Sequence, residues 1–147
     1  MKKLLNIISK VAIVYLTLSG IGVYSANADI AVVISPSNQI SSMTEKEVNR
    51  IFMGFTKRFP NGGKVSIVNQ SEANAIRSDF DKTVNKTTMA KVNARWASLA
   101  FSGRTEFPPM LKSDEEVIMW LEKNTNGIGY IDSSKVSDKV KVVLTIP

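Results

Sequence analysis

Two segments frame this chain and restrict its fold more than any other feature. Near the front, Ile30-Ala31-Val32-Val33-Ile34-Ser35 is an apolar run of strand length, broken by Pro36 and Asn38. It leads into Thr44-Glu45-Lys46-Glu47-Val48-Asn49-Arg50-Ile51-Phe52-Met53-Gly54. Toward the end stands Asn124-Thr125-Asn126-Gly127-Ile128-Gly129-Tyr130-Ile131-Asp132. An apolar run without polar alternation suits a strand covered on both faces. Such a strand needs a sheet around it and helices on both sides.

The intervening chain supplies them. Thr44-x-x-Glu47 is a capping box opening a helix with Val48, Ile51, Phe52 and Phe55 as its buried stripe. Pro60-Asn61-Gly62-Gly63 turns the chain, and Val65 and Ile67 flank Ser66 in a short strand. Ser71 can cap a second helix whose inner face carries Ala73, Ile76, Phe80 and Val84. A third starts at Thr87 or Thr88 and turns Met89, Val92, Trp96 and Leu99 inward. Ser113-x-x-Glu116 caps a fourth, with Val117, Trp120 and Leu121 on one side, and Gly127 suits a left-handed helix stop. Strands at Ile128–Ile131 and Val140–Ile146 close the chain. Strands alternating with helices predict an α/β layer with a mixed, mostly parallel sheet flanked by helices.

Residues 1–28 read as a secretory signal. Lys2, Lys3 and Lys10 precede the apolar run Val11 to Tyr24, and Ala26-Asn27-Ala28 is an A-x-A cleavage site. That run is shorter than the roughly twenty residues that cross a bilayer. Residues 29–147 are then expected as a single domain, periplasmic or secreted, with no stable membrane insertion after cleavage. Without Lys2, Lys3 and Lys10 the formal net charge drops from +6 to +3. The remaining charge shows no Lys/Arg cluster interleaved with aromatics, so nucleic acid is not an expected partner. With no cysteine, an exported domain relies on its core and lacks a lipid-modified cysteine. The absence of histidine as well removes Ser-His-Asp triads and His or Cys metal sites. No cofactor is expected.

The quoted strand–turn–helix opening and the Gly127-Ile128-Gly129-Tyr130 close resemble one lobe of the periplasmic solute-binding proteins, the phosphate-binding branch in particular. The resemblance implies one lobe of a type 2 periplasmic binding protein-like fold. It also implies a non-catalytic role: binding a small anion such as phosphate, as an accessory to uptake or sensing. A transporter or envelope protein is the implied partner. Where those proteins carry an arginine, an acid and a Ser-Gly-Thr run, this chain reads Asn74-Ala75-Ile76, with Arg77 and Phe80 in register.

Two loci are candidate ligand contacts. Ser71, Asn74 and Arg77 lie where a strand gives way to a helix, and the free N–H groups of a helix start favour an anion. Ser102, Gly103 and Arg104 form a turn whose arginine fork suits an oxyanion. The plainer reading makes Ser71 a helix cap, Arg77 a boundary charge supporting little core, and Gly103 a helix stop beside a solvated arginine. A lobe that has lost its ligand and serves as a protein-interaction module is the second function left open. It is favoured by the missing Ser-Gly-Thr run and the single lobe.

Overall fold

The computed structural model describes residues 28–147; residues 1–27, which hold the charged and apolar parts of the expected signal, lie outside them. Its elements are β1 (Ile30–Ile34), α1 (Glu45–Phe52), β2 (Ser66–Ile67), β3 (Asn69–Gln70), α2 (Ala75–Thr83) and α3 (Met89–Phe101). There follow β4 (Met110–Leu111), α4 (Asp114–Lys123), β5 (Gly127–Asp132), a 3₁₀ turn at Ser133–Lys135, and β6 (Lys141–Ile146).

The four-stranded sheet has the order β2-β5-β1-β6, and β3 pairs with β4 beyond it. Every residue of β1 is buried because successive side chains enter opposite layers. Ile30, Val32 and Ile34 join Phe52, Phe80 and Tyr130 in one core. Ala31 and Val33 join Val117, Leu121 and Ile131 in the other. The apolar run is thus explained by cover on both faces.

The mixed sheet flanked by helices is as expected, but its parallel share is smaller. Parallel pairing is confined to the short ladders β2–β5 and β3–β4. β1 runs antiparallel to both β5 and β6, with a bulge between Val32 and Val33. Hydropathy sets which strands are buried on both faces and leaves their direction open. Here the first strand slots between the last two.

Local signals at the helix ends hold in part. Thr44 and Glu47 complete the capping box, with Glu47 N donating to Thr44 Oγ1 at 3.2 Å and Thr44 N to Glu47 Oε2 at 2.7 Å. Ser113 Oγ accepts from Glu116 N at 3.1 Å, whereas the Glu116 carboxylate takes the N–H of Lys112. α1 stops at Phe52, so Phe55 lies past the helix, 54% exposed, with the Arg95 guanidinium 4.1 Å over its ring. Ala73 also precedes its helix and is exposed.

Gly127 corrects the expectation of a left-handed stop, since it is not among the positive-φ residues. Glycine is needed there for space. A Cβ would come within 2.5 Å of the Trp120 ring and 2.8 Å of the Asn124 carbonyl oxygen. The half-buried Trp120 closes over this glycine and packs on the core beside Val117 and Leu121 as expected, with Ile118 joining them. Among the described residues, no helix is long and apolar enough to cross a membrane.

Candidate functional site

The carboxyl ends of β3 and β5 meet the starts of α2 and α4, the place where α/β sheets collect ligands. Gln70 organises it. Its side-chain amide donates to Asp114 Oδ1 at 2.5 Å and to the Tyr130 carbonyl at 3.1 Å. Its backbone N–H donates to the Tyr130 hydroxyl at 3.3 Å. Burial pushes the Tyr130 phenol well above its ordinary range, keeping it neutral. Burial also raises the Asp114 carboxyl, against the lowering effects of Gln70 and the Asp132 N–H.

Asn74 begins α2. Its Nδ2 donates to Gln70 Oε1 at 2.8 Å and to the Lys112 carbonyl at 2.9 Å. It therefore ties α2 to the loop before α4, and makes no side-chain cap bond to its own helix. The other three α-helices begin with a side-chain oxygen accepting from the first turn, at Thr44, Thr88 and Ser113. Ser71 is half-buried, and its Oγ accepts from Ala73 N at 3.3 Å. It closes a local turn ahead of α2.

Arg77 departs most from the expected boundary charge: it is fully buried, at 0% exposure. Its Nε donates to Asp81 Oδ2 at 2.8 Å, Nη1 to the Gln70 carbonyl at 3.2 Å, and Nη2 to Asn93 Oδ1 at 3.0 Å. Asn85 Nδ2 adds a bond to Asp81 Oδ1 at 2.8 Å, and Asn93 Nδ2 reaches Glu72 Oε1 at 2.6 Å. The guanidinium fork therefore fastens α2 to β3 and α3. This network was missed because apolar periodicity is blind to charges buried as i,i+4 pairs. The signal for it was Arg77-x-x-x-Asp81-x-x-x-Asn85, one polar stripe within an otherwise apolar face.

The second locus lies elsewhere. Ser102 Oγ donates to the Leu99 carbonyl at 2.9 Å, and Gly103, at φ +71°, ends α3 as its helix-stop reading predicts. Arg104 is exposed, and its carbonyl accepts from Lys57 Nζ. Arg77 touches α3 at Asn93, whereas Ser102 follows its last residue, Phe101. At 1.5 Å per residue these points are about 12 Å apart along the helix. The fold holds Ser71, Asn74 and Arg77 together and sends Ser102, Gly103 and Arg104 to the other end of α3. Arg77, buried, and Arg104, exposed, therefore belong to separate parts of the lobe.

No protein-family model and no curated protein sequence matches the chain significantly. Solved structures do. One, described as a phosphate ABC transporter substrate-binding protein with bound phosphate from Clostridium perfringens, aligns with a TM-score of 0.63 at 20% identity. It covers 79% of this chain and 45% of that one. An ABC-type phosphate transport receptor from Vibrio cholerae gives 0.62 at 15% identity, covering 79% and 46%. PstS from Borrelia burgdorferi gives 0.60 at 19%, covering 79% and 47%. The chain shares the periplasmic binding protein-like α/β fold of part of these structures. It spans a little under half the length of these structures, and at such identities the likeness speaks for fold alone. Within this lobe, Ala75 and Ile76 bring no hydroxyl to the start of α2, so any anion there would rely on backbone N–H groups.

Proposed function

We propose that the protein is an exported, non-catalytic, solute-binding-like lobe that holds a small anion, phosphate first, at the start of α2. The observation that supports this reading most is the uncapped first turn of α2 at the carboxyl end of β3. Unpaired N–H groups at a helix start, with the helix dipole behind them, attract an oxyanion. Ser71 and Asn74 flank the place, and Arg77 acts beneath it by holding α2 against β3 and α3. The role proposed is accessory to uptake or sensing, with a transporter or envelope protein as partner.

Ala75 is the first helical residue, and proline is tolerated there because its missing N–H has no partner within the helix. Asn74 already has the extended backbone that precedes a proline, with φ −86° and ψ 127°. Ala75→Pro should therefore preserve the fold and remove one anion donor. Calorimetric titration with phosphate should show binding by the wild type and about 10–100-fold weaker binding by the variant, the loss expected for one charge-assisted hydrogen bond. A flat wild-type titration would retire the anion reading.

The interaction-module reading gains support from Glu72, whose carboxylate accepts from Asn93 beside the first turn of α2 and repels an anion. Export rests on Ala26-Asn27-Ala28. Protein recovered from the periplasm should have the mass of a chain beginning at Asp29, and an intact Met1 in membranes would refute this.

A further inference from the structure

The end of α3 remote from the proposed anion site carries a surface that neither β3 nor α2 explains. Three clefts meet there at Lys57. The first, of about 310 Å³, is walled by Val65, Ile67, Trp96, Phe107, Pro109 and Trp120. Around them stand Lys57, Arg58, Lys64, Arg95 and Arg104 against one acid, Glu106. None of these five cations forms an ion pair among the described residues. Backbone carbonyls anchor three of them: Arg58 Nη1 donates to Gly62 at 2.7 Å, Lys57 to Arg104 and Arg95 to Met53. Neutral acceptors fix their positions and leave their charge uncompensated. An exposed apolar side chain, Phe55 at 54%, lines one of these clefts.

The backbone adds a second observation. In a parallel ladder, successive N–H groups point to opposite sides of the strand. Ser66 N donates to Asn126 and Val68 N to Ile128, both toward β5. On the outer side, Val65 N reaches the Lys57 carbonyl and Asn69 N the Pro109 carbonyl. The N–H of Ile67 faces outward between them, where the sheet edge is open and borders the cleft. Val65 to Asn69 spans about 13 Å at 3.3 Å per residue, room for two or three residues of extended chain.

We propose that this face docks a short, extended, acidic segment of a partner protein. Its backbone pairs with the free edge at Ile67, an apolar or aromatic side chain enters the cleft between Trp96 and Trp120, and flanking carboxylates meet Lys57, Lys64 and Arg104. Edge pairing supplies affinity and the pocket supplies selectivity. The uncompensated positive rim steers an acidic chain and repels a basic one. An open strand edge recognises a peptide backbone, which nucleic acid lacks. The inference names the surface and partner chemistry for the interaction-module reading, and it stands apart from the anion site.

The test uses fluorescein-labelled octapeptides alternating Glu or Asp with Trp or Leu, the same peptides with Lys for each acid, and a single-stranded oligonucleotide of matching charge. The acidic peptides should bind, more weakly as salt rises, and should protect the Ile67 amide from hydrogen exchange. The paired charge reversal Lys64→Glu with Arg104→Glu, both at exposed sites, should weaken binding about tenfold or more. Phe107→Ser should weaken it independently, and both variants should titrate phosphate as the wild type does. Failure of every acidic peptide at millimolar concentration overturns the proposal. So does equal binding by the lysine peptides or the oligonucleotide, or binding that leaves the charge-reversed protein and the Ile67 amide unaffected. Loss of phosphate binding alone would count against the anion site and not against this face.

Discussion

Arg77→Ala is expected to lower the unfolding free energy by about 3–5 kcal/mol, because it leaves the Asp81 carboxylate buried and unpaired. Asp81 is 1% exposed and has no solvent to turn to. The same truncation frees the Gln70 carbonyl and Asn93 Oδ1 of a donor each. Against a total stability of about 5–15 kcal/mol, this loss moves the urea midpoint plainly. Removing both charges with apolar groups of similar volume, Arg77→Met with Asp81→Leu, should recover most of it, since the penalty comes from the orphaned charge. An Arg77→Ala midpoint equal to that of the wild type would mean the pair is not buried in solution. Arg77→Ala is accordingly a poor probe of anion binding, because loss of fold would imitate loss of site.

Phe80→Ala should cost a similar amount, about 3–5 kcal/mol, through the cavity left beneath the sheet. Phe80 is fully buried, stacked on Tyr130 at 3.8 Å with the rings 2° from parallel, and edge-on to Phe52 at 4.8 Å. Truncating it strips contacts from both rings and uncovers the Tyr130 hydroxyl that receives Gln70 N. Phe80→Leu keeps much of the volume and should cost clearly less in the same denaturant series. Equal losses for leucine and alanine would mean that the aromatic stack, and not filled volume, sustains this core.

Much of the fold was legible in local pattern. The unbroken run of β1 required a sheet covered on both faces, and Thr44 with Glu47 marked the start of α1. Val48, Ile51 and Phe52 showed its buried side. These signals are short-range: a side chain's period and a cap's reach span a few residues. The plainer reading of Gly103 as a helix stop holds for the same reason, as its positive φ is a demand of the helix end itself.

What lay beyond the sequence involves partners distant along the chain. The antiparallel neighbours of β1 come from residues near the other terminus, and hydropathy carries no record of strand direction. Gly127 looked like a helix stop, yet it is small because Trp120 and the Asn124 carbonyl crowd its Cα. Arg77 looked like a ligand contact or a boundary charge, because only the arrival of Asp81, Gln70 and Asn93 around it makes burial tolerable. The cations at Lys57, Lys64 and Arg104 are scattered in sequence, and the return of α3 toward the end of α1 gathers them on one face. Local pattern in the chain marked the buried strands and the starts of α1, α3 and α4. Tertiary structure decided which polar groups are consumed in holding the lobe together and which remain free to meet a partner, because that choice depends on groups that only folding brings within hydrogen-bonding distance.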